Sequence, residues 1–272
     1  AGPALYAALA LKGYFPVEQL LTINTNGTRL PSHPDRNSTT GVDMSTGSLG
    51  QGMSTAIGIA HGNKMLGKDN YTYLLLGDGE SQEGQVWEGA LYAPQHKLSH
   101  LIAFLDYNHQ QLDGYTKDIC DLGDMRQKFQ DFGWYALEVD GHDVDAIYDA
   151  IALAKHQQEK PTMIVLQTQK GKGCFFAEGI KYNHHMRFSK EQCEEAIARL
   201  EKEGLLKCRT GSVRRLKTEK QAMRDVYCQT MIDLANQNDR IVVMDADLMN
   251  SVGTVPFGEA HPERTVNCGI QE

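Results

Sequence analysis

The sequence lacks several features that define whole classes of protein. It has no Cys-x-x-Cys pair, and its six cysteines are widely spaced. This spacing argues against a disulfide framework or a zinc site and favours free thiols in a reducing cytoplasm. No apolar run approaches the roughly 20 residues of a membrane-spanning helix, and no basic segment followed by an apolar one indicates a signal peptide. We therefore expect a cytoplasmic protein without membrane contact.

Positive charge is also scarce. Lysine and arginine number 27 against 35 aspartates and glutamates, which gives a net charge of −8. A basic surface of the kind that binds nucleic acid is therefore not expected. With 41% apolar residues among 272, the chain can bury a sizeable core and is predicted to hold one large domain or one and a half. It has no initiator methionine and begins directly before a helical pattern, as though a loop had been cut.

Apolar strands alternate with amphipathic helices from residue 71 onward, a pattern typical of a parallel sheet with crossover helices. The fold class predicted is therefore α/β, with helices on both faces of the sheet. The nearly continuous apolar runs 71–76 and 101–105 predict strands that are covered on both faces. Strands are predicted at 71–76, 101–106, 135–139, 162–168 and 241–245, and helices at 48–66, 81–95, 123–132, 143–155, 189–203 and 218–236.

Two domains are predicted. The first spans residues 1–203, and its last helix is marked by Ser189 followed by Gln192, which form a capping box. Residues 204–217 are basic, contain glycine and lack periodicity, so they are interpreted as a linker. Residues 218–272 then begin a second α/β domain that we expect to be truncated.

Two of the predicted strands end in small and polar residues. The first ends at Gly77-Asp78-Gly79 and the second is followed by Asn108. Ligands of open parallel sheets gather beyond the carboxyl ends of the strands, and a carboxylate and an amide oxygen are donors suited to Mg²⁺. A helix beginning near Ser81 would direct its positive end at a diphosphate. By itself, a Gly-Asp-Gly sequence is more often a simple turn.

In combination, the motifs resemble the transketolase family of thiamine diphosphate enzymes. The motifs that carry the resemblance stand in that family's order: LPSHPD, STGSLGQG, GDGESQEGQVWEGA, LDYNHQQLDG and NCGIQE. The resemblance implies thiamine diphosphate and Mg²⁺ as cofactors, with Ca²⁺ or Mn²⁺ as substitutes for the metal. It also implies transfer of a two-carbon ketol unit between sugar phosphates, and a homodimer with the site at the subunit interface.

The resemblance also implies which residues hold the cofactor. Asp78, Asn108 and the backbone carbonyl of Gln110 match the metal ligands. Gly47 and Leu49 match the loop beneath the cofactor, and Leu112 matches an apolar residue that packs on it. Further cofactor contacts are implied for Gly77, Gly79, Glu83 and Asp247.

Catalytic and substrate-binding residues are implied in the same way. Glu272 matches the glutamate that protonates the aminopyrimidine ring of the cofactor, which then acts as an electron sink. Glu83 and Glu88 match two interfacial glutamates that link the paired sites. The residues implied to face the sugar substrate are His33, His184, Arg224 and Ser251.

Several alternatives stay open at this point. A 1-deoxyxylulose 5-phosphate synthase shares the cofactor fold, and a non-catalytic cofactor-binding or assembly fragment is a further possibility. This chain has His184-His185-Met186 where the family has His-Gly, so either histidine could face the cofactor. His61 is interpreted as a packed structural residue, and no role is assigned to His142.

Overall fold

The computed structural model describes residues 2–184, 186–203, 223–238, 243–245 and 254–267. Two compact units make up the chain: one contains residues 1–49 and 219–272, and the other contains residues 50–218. The domain boundaries predicted at 203 and 218 stay predictions.

The larger unit is built on a four-stranded parallel sheet in the order β1-β2-β6-β5. Its strands are β1 (Thr72–Gly77), β2 (Leu101–Tyr107), β5 (Tyr135–Asp140) and β6 (Thr162–Gln167). Every pairing is parallel, so all four carboxyl ends lie at one edge of the sheet. The sequence placed these four strands correctly, to within one residue at each end.

Helices cover both faces of this sheet, which confirms the predicted fold class. On one face, α2 (Gln51–Met65), α3 (Gly84–Gln95) and α5 (Met125–Asp131) pack around a core that includes Trp134 and Phe129. On the other face, α6 (Val144–Lys155) places Ala150 and Ala154 against strand residues. Small alanines at these contacts let the helix approach the sheet closely.

The first strand departs from the prediction that it is covered on both faces. Tyr73 and Leu75 of β1 are 51% and 57% exposed, whereas the residues of β2 from 101 to 105 are buried or nearly so. These side chains are exposed because β1 is an edge strand, whereas α6 contacts β5 at the opposite edge of the sheet. An apolar run of strand length does not distinguish an edge strand from a central one.

The predicted capping box is confirmed at α7 (Lys190–Glu203). The side-chain oxygen of Gln192 accepts from the backbone N–H of Ser189 at 2.9 Å, and the Ser189 hydroxyl oxygen accepts from the N–H of Gln192 at 3.3 Å. This reciprocal pair satisfies two of the free N–H groups at the start of the helix.

The smaller unit contains two groups of elements. Its amino-terminal part has α1 (Gly2–Leu11) and a 3-10 helix (Val17–Thr22), with a core of Tyr6, Leu9, Leu30 and Val42. Its carboxyl-terminal part has α8 (Met223–Gln237), β7 (Val243–Asp245), α9 (Val255–Ala260), a 3-10 turn (Pro262–Arg264) and β8 (Thr265–Asn267). The strands β7 and β8 pair in parallel. Among the residues that the structure describes, no helix is both long and apolar enough to cross a membrane.

Candidate cofactor site

The site begins where β1 and β2 end side by side. In the parallel register, Gly77 lies opposite Asp106, so Asp78 and Asn108 follow neighbouring strands at the same sheet edge. The backbone N–H of Asp78 donates to the carbonyl of Asp106 at 3.2 Å and extends this pairing by one residue. The structure therefore brings these two predicted metal ligands to one edge, as their placement at strand ends led us to expect.

Asp78 is the most unusual residue at this edge. It is only 1% exposed. Its Oδ1 accepts from the backbone N–H of Gly79 at 2.7 Å, while its Oδ2 is buried and has no hydrogen-bond partner. Burial raises the pKa of this carboxyl, and the nearby backbone N–H groups of Gly79 and His109 act in the opposite direction. A buried carboxylate oxygen without a partner costs free energy, and a bound cation would compensate that cost.

The turn after Asp78 differs from the predicted one. A 3-10 turn occupies Glu80–Gln82, and α3 begins only at Gly84, not near Ser81. The Ser81 hydroxyl donates to the carbonyl of Gly77 at 2.9 Å and so stabilises this tighter turn.

Sequence reasoning missed Glu80 within this turn. Its Oε1 accepts from the backbone N–H of Gly50 at 2.9 Å, and its Oε2 accepts from that of Gly77 at 3.1 Å. One carboxylate thus links the start of α2 to the end of β1. The contact to Gly50 spans 30 residues, so no local pattern in the sequence indicates it.

A short hairpin not predicted from the sequence closes the other side of the edge. It consists of β3 (Gln110–Gln111) paired antiparallel with β4 (Gly114–Tyr115), followed by α4 (Thr116–Ile119). The Asn108 amide oxygen accepts from the N–H of Gln110 at 3.0 Å, which fixes the start of the hairpin.

The hairpin lies directly against the turn that carries Asp78. A Cβ atom on Gly79 would lie 2.8 Å from Cβ of Gln111, so only glycine allows this approach. Leu112 is at the tip of the hairpin and is 60% exposed. The structure thus places Gly77, Gly79 and Gln110 with the two predicted metal ligands, and leaves an uncovered apolar side chain on the same hairpin.

The loop after β6 adds positive charge. The Lys170 Nζ lies 3.2 Å from Nδ1 of His184. Burial lowers the pKa of Lys170, and attraction to Asp78 and Asp106 opposes that shift. Lys170 therefore contacts His184 and lies near enough to the two carboxylates of the sheet edge to be attracted to them. Sequence reasoning assigned no role to Lys170, and its one usable signal was a lysine in a glycine-containing loop just after a strand.

Asp106 is a second carboxylate that sequence reasoning did not select. It lies at the end of β2, where its Oδ1 accepts from the hydroxyl of Thr168. The two residues are 62 positions apart, so the contact arises only from the pairing of β2 with β6. Unlike Asp78, this carboxylate has a side-chain donor.

Two predicted site residues meet in the smaller unit. Gly47 has a φ of 125°, and a Cβ atom there would lie 2.3 Å from the ring of His33. Glycine is therefore required both for the backbone conformation and for contact with the histidine. Leu49, two residues later, is 56% exposed.

Other predicted residues fall elsewhere. Glu83 precedes α3 and Glu88 lies within it, and both are exposed in the single chain. Arg224 lies on α8, but its side chain is outside the described part of the structure. The remaining predicted or alternative positions lie outside the described residues: His185, Asp247, Ser251 and Glu272.

The oxygen donors at the sheet edge fit a hard cation that takes only some of its ligands from the protein. Within the described ranges, no group of three histidine, cysteine or acidic side chains could hold a metal by itself. The candidate donors are instead the Asp78 carboxylate, the Asn108 amide oxygen and a backbone carbonyl. Mg²⁺ commonly binds through one or two carboxylates and completes its shell with phosphate and water oxygens. The partnerless Oδ2 of Asp78 is the observation that favours such an ion.

Known families match both parts of the chain. Residues 1–203 match the family described as "Transketolase, thiamine diphosphate binding domain", and residues 219–272 match "Transketolase, pyrimidine binding domain".

Three curated proteins illustrate the range of relatives. The 6-deoxy-6-sulfo-D-fructose transketolase subunit SqwG of Clostridium sp. (strain MSTE9) is 53% identical over 203 residues, which cover 75% of this chain and 74% of that protein. An apulose-4-phosphate transketolase subunit from Phocaeicola vulgatus is 37% identical over 71% of this chain and 69% of its own length. Human transketolase is 33% identical over all of this chain, which spans only 46% of that protein.

Solved structures give the same result for the fold. A transketolase from Pichia stipitis in complex with sedoheptulose-7-phosphate matches 98% of this chain with a TM-score of 0.65 and 25% identity, over 51% of its own length. Transketolase from Leishmania mexicana has a TM-score of 0.64 at 24% identity and shares the fold over 98% of this chain and 50% of its own. The chain thus spans about half the length of the transketolases that it matches from end to end.

Proposed function

Because the chain belongs to the transketolase family, whose members are transferases, we propose that it acts in ketol transfer. The donor would be a ketose phosphate and the acceptor an aldose phosphate, with thiamine diphosphate and Mg²⁺ as cofactors. The observation that carries the proposal is the buried Oδ2 of Asp78, which has no partner and follows β1 beside Asn108 at the end of β2. The family match favours this activity over 1-deoxyxylulose 5-phosphate synthesis.

The residues at the sheet edge have separable roles in this proposal. Asp78, Asn108 and the Gln110 carbonyl would hold Mg²⁺, which neutralises the diphosphate. Glu80 fixes the turn that presents Asp78. The Lys170 ammonium supplies additional positive charge near two carboxylates, where it would also favour a bound diphosphate.

The bound cofactor would supply an electron sink for cleavage of the sugar carbon chain. Leu49 and Leu112 have exposed apolar side chains, and each is proposed to contact a ring of the cofactor. His33 and His184 are proposed to donate hydrogen bonds to the donor sugar, and Glu272 to protonate the aminopyrimidine ring. Gly77, Gly79, Glu83 and Asp247 are proposed cofactor contacts, and Arg224 and Ser251 are proposed to bind the substrate phosphate.

A sulfonated ketose is a second candidate donor. The observation that favours it is the 53% identity to a protein named for 6-deoxy-6-sulfo-D-fructose. A sulfonate resembles a phosphate in its three terminal oxygens but carries one charge, whereas a phosphate monoester carries nearly two at neutral pH. The terminal group of the donor is therefore the feature to vary in an assay.

The assay has a binding step and a transfer step. Calorimetric titration should show that thiamine diphosphate binds the chain only when Mg²⁺ is present. Two-carbon transfer to ribose 5-phosphate would then be compared for xylulose 5-phosphate and for a 6-sulfo ketose as donors. Binding without transfer by either donor would favour a cofactor-binding or assembly role, and absence of metal-dependent binding would refute the proposal.

We further propose a cytoplasmic homodimer with the site at the subunit interface. Among the described residues, Cys120, Cys174, Cys193 and Cys228 form no disulfide, which fits a reducing compartment. Exposed Glu83, just before α3, and exposed Glu88 on α3 accompany Leu91, which is 63% exposed, and together they offer a surface for a second copy. Sedimentation at micromolar concentration should give a dimer, and a monomer that persists at that concentration would contradict this assembly.

A further inference from the structure

His142, to which the sequence assigned no role, makes a specific contact with the loop after β6. Its backbone N–H donates to Oδ1 of Asp140 at 2.8 Å, which holds the residue close to the end of β5. Its ring Nε2 accepts from the backbone N–H of Gln169 at 2.8 Å. To accept this bond, Nε2 must carry no proton.

The contact fixes the backbone from which Lys170 extends. Gln169 directly precedes Lys170, whose Nζ lies 3.2 Å from Nδ1 of His184 and is attracted to Asp78. A second bond joins the same segments, because the N–H of Gly141 donates to the carbonyl of Gln167 at 2.8 Å. His142 is thus the side chain that connects the end of β5 to the base of the Lys170 loop.

The rest of that loop is held by its own contacts. Asn183 donates from its amide nitrogen to the carbonyl of Ala177 at 2.8 Å, and Glu178 accepts from the N–H of Gly173 at 2.9 Å. Asn183 also donates to the carbonyl of Lys170 at 3.4 Å, so these bonds lie within residues 170–183 and do not attach the loop to the sheet. Anchoring of its first residues to β5 therefore depends on His142 and on the strand-end backbone bond.

We propose that His142 is a positioning residue that orients Lys170, and through it His184, toward the cofactor site. This inference rests on the proposed function of that site. His142 is exposed, so the N–H of Gln169 can bond to water when the ring is absent. Loss of the ring should therefore cost little stability but should free the loop. Substituting a residue that orients a ligand-binding side chain without touching the ligand typically lowers the affinity for the ligand by about 10- to 100-fold.

Three substitutions of His142 distinguish the loss of the hydrogen-bond acceptor from the loss of the imidazole ring. His142→Gln places an amide oxygen close to the position of Nε2 and should preserve the bond, whereas His142→Asn is too short and His142→Ala has no acceptor. His156→Ala is the matched control, since His156 is an exposed histidine at the C-cap position directly after α6. Each variant of the 272-residue chain is first compared by thermal melting, where all four should resemble the wild type.

Two measurements then test the inference. In His142→Ala and His142→Asn, the amide of Gln169 should exchange with solvent at least about tenfold faster. The affinity for thiamine diphosphate with Mg²⁺ should fall by about tenfold in the same two variants. His142→Gln and His156→Ala should stay within about threefold of the wild type in both measurements, a difference that packing alone does not predict.

The outcomes distinguish this inference from the proposed function. Unchanged exchange and affinity in His142→Ala, with normal binding by the wild type, would overturn the inference alone. Loss of affinity in His142→Gln equal to that in His142→Ala would also overturn it, because the acceptor would then be irrelevant. Absence of binding by the wild type would refute the proposed function, and the exchange of Gln169 would still decide whether His142 orders the loop.

Discussion

Two parallel strands of the same sheet have an aspartate next to a glycine at their carboxyl ends: Asp78 directly follows β1, and Asp140 is the last residue of β5. The two carboxylates differ in the hydrogen bonds that they accept. After β1, Asp78 is buried and its Oδ2 has no partner. At the end of β5, Asp140 is exposed and accepts from the N–H of His142, and Asp143 caps α6 by accepting from Asp145 and Ala146. The sequence Gly-Asp-Gly and the sequence Asp-Gly-His-Asp are both turn-like, yet only the first leaves a buried oxygen available for a ligand.

This difference shows which property identifies a ligand-binding carboxylate. The carboxylates of Asp140 and Asp143 accept from local N–H groups and are exposed to solvent, so they stabilise the turn and the helix start. Asp78 is enclosed, and although its Oδ1 accepts from the N–H of Gly79, its Oδ2 has no partner. Burial together with an unmet hydrogen-bond requirement, and not the motif by itself, therefore separates a candidate metal ligand from a structural cap.

The largest predicted effect comes from replacing the buried carboxylate of Asp78, compared with the same replacement at the exposed Asp140. Asp78→Asn removes the charge that would face Mg²⁺, so affinity for thiamine diphosphate should fall by at least about tenfold. Asp140→Asn, the matched control, should change it by less than about twofold, because Asp140 is exposed and locally bonded. Calorimetric titration in the presence of Mg²⁺ checks both values. Equal losses in the two variants would remove the distinction between the strand ends.

Glu80 tests whether the turn after β1 needs its anchor. Glu80→Ala removes both acceptors that join Gly50 and Gly77, so the turn should loosen and cofactor affinity should fall by about tenfold. Glu159→Ala is the control, because its ion pair with Lys97 is exposed and contributes little. The two affinities are measured by the same titration. An unaffected Glu80→Ala variant would show that the backbone holds the turn unaided.

The cap after β5 should behave in the opposite way. Asp143→Ala removes the acceptor for two N–H groups at the start of α6 and should lower the free energy of unfolding by about 1 kcal/mol. Cofactor affinity should not change, because the Asp143 carboxylate is proposed to bind neither the metal nor the cofactor. Urea denaturation measures the first effect and calorimetry the second. A loss of affinity without a loss of stability would assign Asp143 to the site.

The smallest predicted effect concerns the apolar tip of the hairpin. Leu112 is 60% exposed, and partial burial by a bound ring would contribute about 0.8 kcal/mol, or roughly a fourfold change in affinity. Leu112→Ser should therefore weaken cofactor binding about fourfold without changing stability. Leu153→Ser on α6, where the leucine is 51% exposed, is the control and should leave affinity unchanged. Equal affinity of Leu112→Ser and the wild type would exclude the contact.

The sequence predicted much of the fold because local patterns specify local structure. Apolar runs located the four strands of the sheet, and the Ser189 capping box located the start of α7. The exposure of Tyr73 was predicted wrongly because coverage depends on which strand lies at the edge. Strand order is set by pairing across the chain, and a single apolar run does not encode it.

The candidate site could be predicted only in part, for a related reason. Asp78 and Asn108 stand out as polar residues at strand ends, and the family resemblance added their proposed roles. Glu80 and His142 did not stand out, because their partners are 30 and 27 residues away along the chain. Contacts of this length appear only after the sheet has assembled.

A crystal structure of the chain with Mg²⁺ and thiamine diphosphate tests the central claim most directly. The account predicts one cation at about 2.1 Å from Oδ2 of Asp78, the amide oxygen of Asn108 and the carbonyl of Gln110, with diphosphate and water oxygens completing its octahedral shell. The carboxylates after β5 should remain free of metal. A cation bound at Asp140 or Asp143, or a diphosphate bound with Asp78 Oδ2 still without a partner, would contradict the account.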